Sequence, residues 1–145
     1  AFRGGFDGSR APVCYNGDIF TISDYETLCG DYPELDRVML GRGIISNPGL
    51  LDRIAAGTNS DGSGTDKETL KRFHQMIYEG YRQIMSGDRN VLFKMKELWF
   101  YMGHLFEENK KQMKKIKKSQ KLSDYMEAVD SLFEEGEFHA WGTFE

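Results

Sequence analysis

Cysteine and histidine are scarce in this chain, and their placement excludes several chemistries at once. The two cysteines, Cys14 and Cys29, show no C-x-x-C spacing, and the three histidines form no cluster. Neither a disulfide framework nor a metal site is supported. Both thiols are read as reduced and partly buried, the habit of free cysteine. Also missing is any apolar run of the roughly 18 residues that a membrane-spanning helix needs. The opening stretch, AFRGGFDGSR, lacks the apolar centre of a secretory signal and does not begin with methionine. The expectation is a soluble, cytoplasmic protein with no membrane contact. Residues 1–10 stay unassigned and read as an artificial boundary or an internal cut.

What is present is enough for one ordinary globular core: 145 residues, 39% apolar and 13% aromatic. The net charge of -4 argues, as an average, against a nucleic-acid ligand. The average hides a lopsided distribution. Residues 88–121 hold 10 of the 19 Lys and Arg against 4 of the 23 Asp and Glu, a local +6 with -10 elsewhere.

The first half repeats a rhythm. An apolar run at 11–15, APVCY, carries proline at its entry, where a strand tolerates one. Asn16-Gly17-Asp18 then turns the chain, and Ser23 to Glu26 reads as a capping box for a helix ending near Gly30. A second run, DRVMLG at 36–41, enters another glycine turn, Gly41-Arg42-Gly43. Strand, turn, helix, strand, turn, helix is the order of parallel βα units. In such architectures ligands sit at the carboxyl ends of the strands. Glycine there lets consecutive N–H groups approach one anion, and Ser46 or Asn47 as a cap with Pro48 at a first helical position adds a helix N-terminus. The expectation is that two such turns cradle one phosphate.

Residues 56–65, AGTNSDGSGT, are small and polar and read as a linker. Beyond it the period becomes helical. Thr65 and Glu68 suggest a capping box, and Leu70, Phe73, Ile77, Tyr81 and Ile84 recur at helical spacing up to Ser86-Gly87. Asp88 is placed as the cap of a helix whose stripe, Leu92, Met95, Trp99, Met102 and Phe106, continues through Met113 and Ile116. A last helix begins near Ser123 with Met126, Val129 and Leu132 inward. These stripes are read as core, and the set as a small antiparallel helical bundle. His74 and His104 fall among apolar neighbours and are read as packing residues; His139 in the tail has no account.

The motifs PVCYNGDIF and DRVMLGRGIISNPGLL resemble the last two barrel strands of the tRNA-dihydrouridine synthases. The likeness is strong over residues 11–55 and looser over the helices from about 66 to 133. It implies an α+β, mostly helical chain: two C-terminal βα units of an FMN-binding TIM barrel (11–55), a linker (56–65), a helical tRNA-binding domain (66–135) and a tail (136–145). By the resemblance, Asn16, Gly17, Asp18, Gly41, Arg42 and Gly43 contact the FMN phosphate. The family reduces the 5,6 double bond of uridine in tRNA, with NADPH as reductant through the flavin. Its catalytic cysteine lies on an earlier barrel loop that neither Cys14 nor Cys29 matches, so no catalytic residue is assigned. This part alone is expected to be inactive and to hold flavin weakly or not at all. Its open βα portion is expected to pack on the helices, on the remaining barrel or on a second chain.

Lysines 110, 111, 114, 115, 117, 118 and 121 follow an aromatic stretch, and 110, 114, 117, 118 and 121 fall on one helical face. With Lys96 they are the expected RNA contacts, binding phosphates by charge. The family's Arg-Lys-His triplet corresponds here to Met95-Lys96-Glu97, so only the lysine is kept. The alternative is a stand-alone helical RNA-binding or interaction module without catalysis. Another FMN barrel, such as a dihydroorotate dehydrogenase, would share the turns but lack the lysine-rich helices.

Overall fold

Parallel pairing of the two apolar runs is present in the computed structural model, which describes residues 12–57 and 65–140. Strand β1 (Cys14–Asn16) lies beside β2 (Arg37–Met39), with Tyr15 opposite Val38 and Asn16 opposite Met39. Helix α1 (Ile22–Asp31) is the crossover. Its cap is Thr21, which exchanges hydrogen bonds with Asp24, and not the expected Ser23 and Glu26 pair. Both pairs have the same spacing, and the apolar Ile22 and Leu28 need the helix to begin two residues earlier. Cys14 is exposed, against the expectation of partial burial, while Cys29 is half-buried.

The second glycine turn is itself helical. Helix α2 (Gly41–Ser46) starts at Gly41, directly beyond β2, and α3 (Leu50–Ala56) follows after a short break. Pro48 therefore lies between two helices instead of opening one. Ser46 ends α2, fully buried. The Asn47 side chain accepts from the Gly49 N–H at 3.0 Å, as an Asx turn does.

Residues 58–64 of the proposed linker lie outside the described residues. Helix α4 (Lys67–Ile84) is capped by Asp66, which accepts from the Thr69 N–H, so Thr65 and Glu68 do not form the expected box. Thr65 is instead buried and donates to Asn47 Oδ1 at 2.9 Å. Helix α5 (Asp88–Met102) starts after Gly87, whose φ of 84° suits glycine; Asp88 is the first helical residue and not the cap.

The expected single stripe from Leu92 to Ile116 is broken. Helix α5 stops at Met102, a 3-10 turn (Gly103–Leu105) leads into β3 (Phe106–Glu107), and α6 (Lys110–Lys118) starts afresh. The Asn109 amide donates to the carbonyls of Gly103 and Phe106, which stabilises the reversal. Helix α7 (Leu122–Glu135) and β4 (Glu137–Phe138) follow, with β4 antiparallel to β3.

Helices α4 to α7 share one core of Leu70, Met95, Trp99, Met102, Ile116, Tyr125, Val129, Leu132 and neighbours. Burying each such side chain contributes roughly 1.5–3 kcal/mol. Helix α7 shows why: Tyr125, Ala128, Val129, Leu132 and Phe133 recur at three and four residue spacing along one face. Met126 is only half-buried, and Ile84, expected inward, is 79% exposed at the last turn of α4. The βα portion rests on this core through α2, which packs on α5, with Ile45 touching the cluster. Asn47 Nδ2 adds a hydrogen bond of 2.9 Å to the Ala140 carbonyl.

Candidate functional site

Because β1 and β2 are parallel neighbours, the turns that leave them meet at one end of the sheet. Two contacts show the meeting. The Arg42 guanidinium pairs with the Asp18 carboxylate, both half-exposed. A Cβ on Gly43 would come within 2.0 Å of the Ile19 carbonyl oxygen, so only glycine allows the two backbones this approach. Gly41 has open space where its Cβ would be. Helix α2 has no side-chain cap at Leu40, and its first N–H groups have no intrahelical acceptor.

Open space, uncapped amides and a glycine-tight backbone suit an oxyanion. The Asp18 carboxylate would repel it, and Arg42 balances that charge. Asn16 and Gly17 lie on the same rim, where Gly17 is enclosed by the Tyr15 ring. The structure thus gathers Asn16, Gly17, Asp18, Gly41, Arg42 and Gly43 at one end of the strand pair.

The lysines are distributed less simply. Lys110, Lys111, Lys114, Lys115, Lys117 and Lys118 are exposed on α6, while Lys121 lies beyond its end, at the residue before α7 and without a side-chain capping bond. The expected common face therefore loses Lys121. Lys110, Lys114, Lys117 and Lys118 line a groove of about 590 Å³ against Trp99, Phe100 and Gly103 of the α5 end. Among the described residues, no carboxylate pairs with any of these α6 lysines. Lysines in the last turn of α6 also complement its dipole.

Lys96 is partly buried and donates to the Ser119 carbonyl at 2.9 Å, fastening the end of α6. It still borders a second groove with Arg89, Phe93 and Lys121. Met95 is core, and Glu97 is held by Lys94 at 3.1 Å.

The three histidines separate clearly. His74 is buried against Trp99 and Tyr125, and burial holds its imidazole well below its ordinary pKa, at about 4. His104 is half-buried on the 3-10 turn. His139 lies 3.3 Å from Glu107 and 3.8 Å from Glu137, between two carboxylates that the β3–β4 register sets opposite each other. Sequence reasoning gave this residue no role, and its partners become visible only through strand pairing.

The profile of the dihydrouridine synthase family matches residues 7–138, nearly the whole chain. The chain belongs to the dihydrouridine synthase family. A curated relative, the tRNA-dihydrouridine(16) synthase of Aquipseudomonas alcaligenes, is 44% identical over 45 residues. That stretch is 31% of this chain and 14% of the relative, so the chain spans a small part of that synthase's length. The dihydrouridine synthase resemblance read from the glycine-turn motifs is borne out at the family level. Among the described residues no helix is long and apolar enough to cross a membrane.

Proposed function

We propose that this chain is the part of a tRNA-dihydrouridine synthase that anchors the FMN phosphate and grips the tRNA substrate. The carrying observation is the convergence of the two glycine turns, with Arg42 on Asp18 and Gly43 against the Ile19 carbonyl. Asn16, Gly17, Asp18, Gly41, Arg42 and Gly43 would hold the phosphate through backbone N–H groups and the guanidinium donors that Arg42 does not give to Asp18. When bound, FMN supplies the hydride relay between NADPH and the 5,6 double bond of uracil. This chain's residues bind and orient; none of them is assigned to proton transfer.

Lys110, Lys111, Lys114, Lys115, Lys117 and Lys118 on α6, with Lys121 and Lys96 beside it, contact RNA phosphates in this reading. Among the described residues no carboxylate pairs with these lysines, which supports their binding a polyanion. Binding of this kind reads backbone and shape, so it positions the tRNA without choosing the uridine.

Two titrations test the proposal. Electrophoretic titration of tRNA should give affinity that falls steeply with salt. Glutamine at Lys114, Lys115, Lys117 and Lys118 should lower that slope by about one unit per contacting lysine. FMN titration should show weak binding that Gly43→Ala abolishes. An absence of tRNA binding at low salt would remove the proposal.

A second reading, an RNA-binding module without catalysis, is favoured by one observation: the buried cluster is drawn from α4 to α7 and the segment joining α5 to α6, with Ile45 of α2 only packed against it. Lysine-dependent tRNA binding with no measurable FMN affinity would select it.

A further inference from the structure

The exposed side of helix α5 carries Asp88, Arg89, Asn90, Lys94 and Glu97, as a surface helix should, but two aromatic rings interrupt it. Phe93 is 60% exposed and Phe100 65% exposed. Seven residues apart, they lie on one side of the helix, separated by about 10 Å along its axis. Isolated exposed aromatics are common. Here each ring belongs to a groove walled by cations. Phe100 borders the groove of Lys114 and Lys117, and Phe93 borders one of about 850 Å³ with Arg89, Lys96 and Lys121.

Local geometry orders the rings. The Arg89 guanidinium lies 5.7 Å from the Phe93 centroid, and Phe100 meets Tyr101 edge-on at 5.1 Å. Glu97, on the same side of α5, is neutralised by Lys94. The surface that results combines aromatic rings with lysines that bind no carboxylate among the described residues. Such a combination suits single-stranded nucleic acid, in which phosphates follow the cations while bases stack on rings.

We propose that Phe93 and Phe100 stack against unpaired bases of the RNA whose phosphates the α6 lysines hold. The inference rests on the proposed tRNA-binding reading and narrows it to loops or other unpaired segments. The ring spacing corresponds to roughly three steps of a stacked strand at about 3.4 Å each. A duplex keeps its bases stacked on one another and offers only backbone and shape, so it would use the lysines and leave the rings idle. A second copy of this chain is a poor occupant, because residues 88–121 carry a local charge of +6 and would repel their counterpart.

The test uses the full 145-residue chain and three labelled probes: a mixed-sequence single-stranded RNA, a duplex with the same number of phosphates, and a tRNA transcript. Anisotropy titrations are run at several salt concentrations. Phe93→Ala and Phe100→Ala should each weaken binding of the single strand and the tRNA, roughly five- to hundredfold per ring, with the salt slope unchanged. Duplex affinity should not move, and Phe93→Trp with Phe100→Trp should restore single-strand affinity. Both rings are exposed, so thermal melting of the alanine variants should match the parent. If the double alanine variant binds the single strand as the parent does, while lysine-to-glutamine changes still lower the slope, the stacking inference falls and the RNA reading stands. If no RNA binds at low salt, both fall. Self-association that disappears in the double variant without any change in RNA affinity would assign the rings to a second copy and overturn the inference.

Discussion

His74 Nε2 and the Tyr125 hydroxyl lie 2.6 Å apart between α4 and α7, both fully enclosed. Trp99 Nε1–H donates to the same hydroxyl oxygen at 2.8 Å. Two acceptors face the Tyr125 hydroxyl, His74 Nε2 at 2.6 Å and the Met95 carbonyl at 3.4 Å, and the nearer one can accept only as neutral imidazole. Burial disfavours the imidazolium, in agreement with a pKa held near 4.

Stability should therefore fall as the solution is acidified. A histidine with a folded pKa below its unfolded value favours folding fully above about pH 6.5. That contribution is lost progressively as pH falls toward 4. At about 1.4 kcal/mol per pKa unit the full loss approaches about 3 kcal/mol. Urea midpoints at neutral and mildly acidic pH should show it. His74→Gln, which keeps an acceptor without titrating, should flatten the profile; parallel profiles would refute the assignment. Asp66, lowered chiefly by the Thr69 N–H, acts in the same direction at lower pH and is common to both proteins.

Tyr125→Phe removes the oxygen that both Trp99 and His74 use. Two buried polar groups lose their partner while the ring packing remains. The expected cost is about 3 kcal/mol, since each buried unsatisfied group costs about 1–3 kcal/mol. Equilibrium unfolding followed by tryptophan fluorescence would measure it, and a near-zero change would show that water replaces the hydroxyl.

Gly41 and Gly43 should respond oppositely to alanine. Gly43→Ala forces a Cβ into the Ile19 carbonyl, so the turn must shift and the chain should lose stability, by about 2 kcal/mol or more. Gly41 begins α2 in open space with a negative φ, and alanine there should raise stability by about 0.4–1 kcal/mol. Thermal melts compare the two. A stable Gly41→Ala protein that nevertheless binds FMN more weakly would mark Gly41 as a cofactor contact. Equal melting losses would contradict the geometry.

Asn47→Ala should loosen the βα portion from the helices. The side chain is buried and joins the Gly49 N–H, the Thr65 hydroxyl and the Ala140 carbonyl. With three hydrogen bonds lost at about 1 kcal/mol each, the expected cost is about 3 kcal/mol. Hydrogen exchange should quicken in β1, β2 and α2 before it does in α7. Uniform acceleration would argue against a local tie.

Local patterns made part of this readable. The glycine turns announced parallel strands because Asn16-Gly17-Asp18 and Gly41-Arg42-Gly43 each end an apolar run. The stripe of α7 announced its buried face in the same way. The caps shifted by one or two residues because Thr21 and Ser23, or Thr65 and Asp66, are near-equivalent candidates until packing chooses between them. The end of α5 was hidden because Phe106, Met113 and Ile116 keep the helical phase across the break that Gly103 and Asn109 impose. Phe93 and Phe100 lie seven residues apart and off the stripe of Met95 and Trp99, and two aromatics alone do not distinguish an exposed side from a covered one until packing decides. Partners such as Ala140 for Asn47 leave no local signal.

The bond from Asn47 to Ala140 joins residues 93 positions apart. During synthesis from the N-terminus, the strand pair and its glycine rim leave the ribosome long before the residue that fastens them. Helix α2 can seat on α5 and Asn47 can take the Thr65 hydroxyl before that tie exists, so the joint between the two portions closes in stages, with the Ala140 carbonyl its final partner.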